Sequence, residues 1–265
     1  MSTLTATFTR SIGQKLVMGL TGLFLVSFLL VHVSGNLQLF MDDGGVAFNT
    51  YTKFMTTNPV IKVMEWVLFA GFIIHIVYAI ILTRGNAKAR PEGYAYKNPK
   101  AGSSWFSRNM GVSGSIVFIF LAVHLYMFWG VYHFGGGESV TVKDAYEGVW
   151  KVTDAGSLSS VITESYIDAE TYNILSETDK MATVKGMSMY EITKVSFKQW
   201  WIVLLYVVAM VLLAFHLNHG FQSAFRTLGL VHEKYMPILT RLGTLIAVVF
   251  PLLFAAMPLY FFFLK

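Results

Sequence analysis

MGLTGLFLVSFLLVH at residues 18–32 and MGVSGSIVFIFLAVH at residues 110–124 are two copies of one pattern. Met18, Gly19, Thr21, Gly22, Val31 and His32 recur as Met110, Gly111, Ser113, Gly114, Val123 and His124, at a constant offset of 92. Each copy is a long apolar run with small residues near its start and one histidine near its far end. An imidazole inside an apolar helix costs free energy unless it has a partner, which makes it a functional-site hypothesis by default. Two of them at matched positions read as two ligands for one buried metal.

The rest of the chain fits a membrane setting. Of 265 residues, 55% are hydrophobic and 13% charged, and the mean hydropathy is +0.56, which is unlike an ordinary soluble domain. Apolar runs at 16–40, 60–83, 110–134, 199–225 and 238–264 are each long enough for a hydrocarbon core of about 30 Å, which takes roughly 20 helical residues. Lipid offers no partner for backbone groups, so such runs must be helices. The expected fold is an all-α membrane protein, one domain of five transmembrane helices. Arg10 and Lys15 precede the first run as they would a secretory signal. That run is too long for a signal core, however, and lacks a small-x-small cleavage site, so it stays a helix.

The absence of cysteine excludes disulfides, thiolate-bound iron–sulfur clusters, CxxC zinc sites and covalent CxxCH haem. Any metal must be held by histidine or oxygen. The pI of about 9.2 could point to nucleic acid, but the charges follow the membrane instead. With the N-terminus inside, the inner segments hold Arg10, Lys15, Arg84, Lys88, Arg90, Lys97, Lys100, Arg108, Arg226, Lys234 and Arg241 against only Glu92 and Glu233. Every arginine lies there. This is the positive-inside pattern, and it sets the orientation with no nucleic-acid partner required.

Between the spans, Ser34-Gly35-Asn36 and Asp42-Asp43-Gly44-Gly45 predict a short outer loop, and Asn58-Pro59 a helix start. The second span is expected to stop at Arg84-Gly85, where a basic inner loop, 84–108, begins. Tyr126, Phe128, Trp129 and Tyr132 suit an outer interface. Residues 135–196 are a polar insertion, read as a small outer cap with some helix. Loop 226–237 is basic again, and the fifth span, with Pro251 and Pro258, reads as packing outside the functional bundle.

Depth sorts the histidines. At about 1.5 Å per residue, His32 and His124 each lie roughly 24 Å from the inner edge, His75 roughly 13 Å, His216 roughly 15 Å and His219 roughly 10 Å. His32 pairs with His124 toward the outside, and His75 with His216 toward the inside. His219 competes with His216, but Gly220 lies four residues after His216, as Ala79 does after His75. A small residue one turn from a ligand leaves room for a flat macrocycle, which favours His216 and leaves His219 a supporting or haem-propionate role. Gly22 and Gly114, beside Thr21 and Ser113, either let helices approach closely or make room for the inner macrocycle. Paired imidazoles in a helix bundle suit two b-type haems held by the first four helices. The plain alternative for any one histidine is a hydrogen bond across helices. His133 and His232, at helix ends, read as solvated.

TGLFL leading to His32, His-Leu-Tyr at 124–126 and the His-x3-Gly from His216 to Gly220 resemble the di-haem cytochrome b subunit of succinate dehydrogenase/fumarate reductase. The likeness covers residues 10–134 and 197–264. It implies a bacterial inner-membrane anchor with a cytoplasmic N-terminus, the C-terminus and residues 135–196 lying outside. It also implies a flavoprotein (FAD) subunit and an iron–sulfur subunit on the inner face. Electrons would pass between the iron–sulfur chain and a quinone such as menaquinone, and dicarboxylate chemistry would stay with the flavoprotein. An oligomer of the whole complex is left open. Two features depart from the family: the long 135–196 connection, and the lack of a carboxylate in YTKFMTTNP, which leaves Asp42, Asp43 and Glu65 as candidates for quinone protons. The other readings are a di-haem b subunit of a different quinone-linked dehydrogenase or hydrogenase, and a haem-free transporter relaying protons through histidines.

Overall fold

A computed structural model of the chain describes residues 11–89, 108–134, 139–141, 183–185 and 189–265. Segments rich in Leu, Val, Ile and Phe satisfy their backbone internally by coiling. They form α1 (Ser11–Asn36, followed by a 3-10 turn at Leu37–Phe40), α2 (Val46–Thr57), α3 (Pro59–Ala89), α4 (Met110–His124), α5 (Met189–Ser196), α6 (Trp200–Thr227) and α7 (Met236–Phe263). After His124 the chain keeps coiling through a π turn, Leu125–Gly130, and a last α turn, Val131–Phe134.

Five stretches are long and apolar enough to cross a membrane: Ser11–Phe40, Pro59–Ala89, Met110–Phe134, Trp200–Thr227 and Met236–Phe263. They coincide with the five expected spans, and by length and composition the chain is a multi-pass membrane protein. Leu20, Val63, Trp66, Val112, Ile119, Leu204 and Leu252 are all more than half exposed, as side chains facing lipid would be. The second span does not stop at Arg84-Gly85. Good helix formers at Ala87, Lys88 and Ala89 carry α3 past the glycine, and Lys88 in the last turn complements the helix dipole.

The part of the 135–196 insertion that is described comprises α5 and a three-residue antiparallel pairing of β1 (Ser139–Thr141) with β2 (Thr183–Lys185), Val140 opposite Val184. The remainder of the expected cap lies outside the described residues, as do residues 1–10 and 90–107 of the basic segments.

The residues group into two compact units. The first comprises Met1–His32, Val63–Phe118 and Ala209–Leu252. In it α6 packs on α7 where Phe221 meets Gly243, and on α1 where Ala224 meets Gly19. A Cβ at Gly243 would lie 2.6 Å from Phe221 Cδ1, so glycine is what lets that ring seat. Asn218 Oδ1 accepts from the Thr244 hydroxyl at 3.2 Å and from the Gln222 amide at 2.9 Å, which satisfies a polar group at membrane depth.

The second unit comprises Val33–Lys62, Ile119–Val208 and Leu253–Lys265. Here the short loop expected between the first two spans is instead largely the twelve-residue helix α2. Asp43 starts it: Oδ1 accepts from the Gly45 N–H at 2.9 Å and Oδ2 from the Ala47 N–H at 2.8 Å. Gly45 has φ +89 and faces the Tyr190 ring, so both the left-handed backbone and the close ring call for glycine. Asn49 Oδ1 accepts the Tyr190 N–H at 3.0 Å, and the Tyr190 ring meets the fully buried Phe261 edge-on at 5.5 Å. Lys265 Nζ lies 2.6 Å from Asp42 Oδ1. This hydrogen-bonded charge pair holds the Asp42 carboxyl below its usual value and raises the Lys265 ammonium. Of the candidate carboxylates, then, Asp43 is a helix cap, Asp42 an ion-pair partner, and Glu65 sits half-buried on α3.

Asp43→Ala should cost about 1 kcal/mol through loss of the α2 cap. Thermal unfolding of the detergent-solubilised protein, with Asp42→Ala as the comparison, measures this; an unshifted midpoint for Asp43→Ala would remove the cap from the account.

Candidate functional site

In the first unit, four helices contribute side chains around two imidazoles. α1 brings Thr21 and Gly22, α3 brings His75, α4 brings Gly114, and α6 brings His216. The Thr21 hydroxyl has one hydrogen, and it is directed along the helix to the Val17 carbonyl at 2.8 Å. What Oγ1 still offers is lone pairs, and His75 Nδ1 lies 3.2 Å away. With that hydrogen on Val17, His75 would donate from Nδ1 and keep the Nε2 lone pair for a metal.

The His75 and His216 ring centroids are 6.4 Å apart, with 65° between their planes. An imidazole nitrogen binds a first-row metal such as zinc at about 2.0–2.1 Å, and the ring centroid is roughly 1.1 Å behind it, so two imidazoles on one axis have centroids about 6.3 Å apart. Rotation of either ring about that axis changes the angle between planes and leaves the separation alone. The observed centroid separation is close to that figure.

A glycine lies against each ring, and at Gly114 a Cβ would be tight. A Cβ at Gly22 would lie 3.5 Å from His75 Cε1, and one at Gly114 would lie 3.3 Å from His216 Cε1. The repeat noticed in the sequence thus has a spatial counterpart: each copy sets its glycine against one of the two rings. Beside His216, a Cβ at Gly220 would meet only the Met110 methyl at 3.9 Å, so that side of the helix has room. Among the described residues His216 Nδ1 is buried with no hydrogen-bond partner, an arrangement that ordinarily costs about 1–3 kcal/mol.

Among the described residues, no three His, Cys, Asp or Glu side chains converge as a metal site. Two opposed imidazoles without a third protein ligand fit a metal that arrives with its equatorial ligands already supplied, which is what haem does. The residues present fit a b-type haem, which needs no cysteine. Of the two candidates on α6, His216 is the one whose ring lies opposite His75. His219 sits one turn further along, half-buried.

His32 belongs to the first unit and His124 to the second, so each is described with its own neighbours. The His32 ring stacks on Phe28 at 5.3 Å and 17°. His124 closes the regular part of α4, and the π turn starts at the next residue; such turns occur preferentially at functional positions. Its Nδ1 is 2.9 Å from the Tyr206 hydroxyl, and Phe120 and Phe128 flank its ring at 5.8 and 5.2 Å. With Nδ1 engaged, Nε2 is the nitrogen that would take a metal. Tyr206 is itself 5% exposed and is held edge-on by Phe120 and Phe197. The sequence reading passed over it, although a hydroxyl ten residues before His216, in the apolar run from Ile202 to Phe215, is a legible signal.

His133 and His232 are exposed, yet each is bonded. His133 Nδ1 donates to the Trp129 carbonyl at 2.9 Å and Nε2 accepts from Lys62 Nζ at 3.2 Å, while His232 Nδ1 accepts the Lys234 N–H at 3.1 Å. Both act at helix ends.

No protein-family model, curated protein or solved structure matches this chain.

Tyr206→Phe keeps the ring and removes the hydroxyl that His124 Nδ1 meets. Loss of this bond should destabilise the purified protein by about 1–3 kcal/mol, read as a lower melting temperature; an unchanged melting temperature would show that the contact is not energetically coupled to the fold.

Proposed function

We propose that this chain is the di-haem b membrane anchor of a succinate:quinone oxidoreductase, carrying electrons between an iron–sulfur subunit on the inner face and a quinone such as menaquinone. The observation that carries the reading is the His75–His216 pair, with 6.4 Å between ring centroids and a glycine of one sequence repeat set against each ring. His75 and His216 would hold the inner haem and His32 and His124 the outer one; the outer pair rests on the repeat and on depth counted along the helices. Haem ligated by two imidazoles supplies a one-electron carrier with no open position for oxygen.

The chain's own part is to bind and insulate. Thr21 fixes the His75 tautomer so that Nε2 faces the metal position. Tyr206 meets His124 at Nδ1, so a metal would be met through Nε2, and the surrounding Phe120 and Phe128 keep water away. Gly22, Gly114 and Gly220 leave space for a flat group, while His219 is within a turn of His216 for a propionate. The positive-inside distribution puts the basic segments 84–108 and 226–241 on the face where flavoprotein and iron–sulfur partners would dock, which also suits contact with anionic lipid. With quinone protons exchanged outside, each electron crossing the membrane is worked on by about 2.3 kcal/mol per 100 mV, so direction depends on membrane potential.

A reduced-minus-oxidised visible spectrum of the protein purified from membranes should show haem b bands for two haems. His75→Ala and His216→Ala should each remove the same one, His32→Ala and His124→Ala the other, and His219→Ala neither. A colourless wild type would leave the proton-relay transporter ahead. In cells, a protonophore should depress succinate:menaquinone activity; insensitivity would contradict potential-driven transfer.

A further inference from the structure

The two sequence repeats treat their histidines alike except at one atom. In the first copy, Gly22 approaches His75, and the residue before it, Thr21, meets His75 Nδ1 at 3.2 Å. In the second copy, Gly114 approaches His216, and a Cβ there would lie 3.6 Å from His216 Nδ1. The preceding residue is Ser113, a hydroxyl like Thr21, yet among the described residues His216 Nδ1 is a buried polar atom without a partner. Ser113 Oγ spends its hydrogen on the Met110 carbonyl at 3.1 Å, as Thr21 spends its own on Val17. Its lone pairs are therefore available, and an acceptor is what an Nδ1–H requires.

Building on the haem reading, we infer that Ser113 is the positioning residue for His216: its hydroxyl accepts the Nδ1–H bond and presents Nε2 to the metal, as Thr21 does for His75. The sequence makes the match, since Ser113 stands in the repeat where Thr21 stands. The geometry supplies the need, since a ligating histidine that leaves its other nitrogen unbonded in a buried site is rare and poorly oriented. Serine differs from threonine in one respect that matters. Without the β-branch its χ1 is less restricted, so the hydroxyl can serve the Met110 carbonyl alone when His216 holds no metal and turn to the imidazole when it does. Both residues thus orient the same haem from opposite sides and raise the donor strength of its ligands.

The chemical consequence is a potential. A hydrogen bond accepted from Nδ1–H makes the imidazole a stronger donor, which favours ferric over ferrous iron. Removing it should raise the midpoint potential of the inner haem and loosen its retention. The test is an optical redox titration of the complex purified from membranes, with haem content read from the spectrum. Ser113→Ala should raise one of the two haem potentials and leave the other, and Thr21→Val should raise the same one. A tenfold change in the ferric-to-ferrous affinity ratio is a shift of about 59 mV. Ser113→Thr should restore the wild-type value. Ser115→Ala, which removes an exposed hydroxyl bonded to the Gly111 carbonyl on the same helix, should leave both potentials alone. If the wild type carries two haems and Ser113→Ala matches it in potential and haem retention, the role of Ser113 is overturned while the haem reading stands. A wild type with no haem b bands would instead overturn the haem reading and this inference with it. If Ser113→Ala does not assemble, Ser113→Val takes its place, with the same expected shift and the same overturning result.

Discussion

The arrangement depends on the cost of an imidazole in a medium that offers it no water. In lipid or protein interior, each ring nitrogen must be bonded or bear a metal, and a nitrogen that does neither costs about 1–3 kcal/mol. His75 meets this with Thr21 at Nδ1, and His124 with Tyr206. Among the described residues His216 does not meet it, because its Nδ1 is buried and bare. Its ring centroid nevertheless lies 6.4 Å from that of His75. A chain with only packing to arrange would be more stable with apolar residues at both positions.

The helices serve that apposition. Glycines at 22 and 114 lie against His75 and His216, at the same place in two copies of one motif. The same sparing use of small residues recurs at Gly243, where it seats the Phe221 ring. α6 contributes to both units, with Tyr206 in the second and His216 in the first. One turn separates His216 from Gly220 and its open side, so ligand and space for a flat group come from the same helix face. In the second unit, the Asp43 cap, the Tyr190–Phe261 contact and the Lys265–Asp42 pair fasten α2, α5 and the C-terminus.

Hydropathy made the five spans legible, because a run of some twenty apolar residues has few other uses. The histidines were equally visible, and counting residues from the charged edges set His75 and His216 at like depth; their ring centroids lie 6.4 Å apart. The π turn after His124 carries no sequence mark, since it changes the winding without changing composition. α2 was missed for a different reason. Its start, Asp-Asp-Gly-Gly, reads as a turn, and only the carboxylate of Asp43 on the Gly45 and Ala47 amides turns that signal into a helix cap. Thr21 and Ser113 were read as small residues that make room, although the hydroxyls carry the distinction: which nitrogen a hydroxyl meets depends on neighbouring helices. Tyr206 escaped notice because an aromatic ring in an apolar helix usually needs no explanation.

Electron paramagnetic resonance of the oxidised protein tests the central claim most directly, because it reports axial ligands without relying on turnover. The account predicts two low-spin ferric signals, both with the anisotropy of bis-imidazole coordination. A high-spin signal from the inner site, or a low-spin signal of mixed ligation there, would contradict the pairing of His75 with His216.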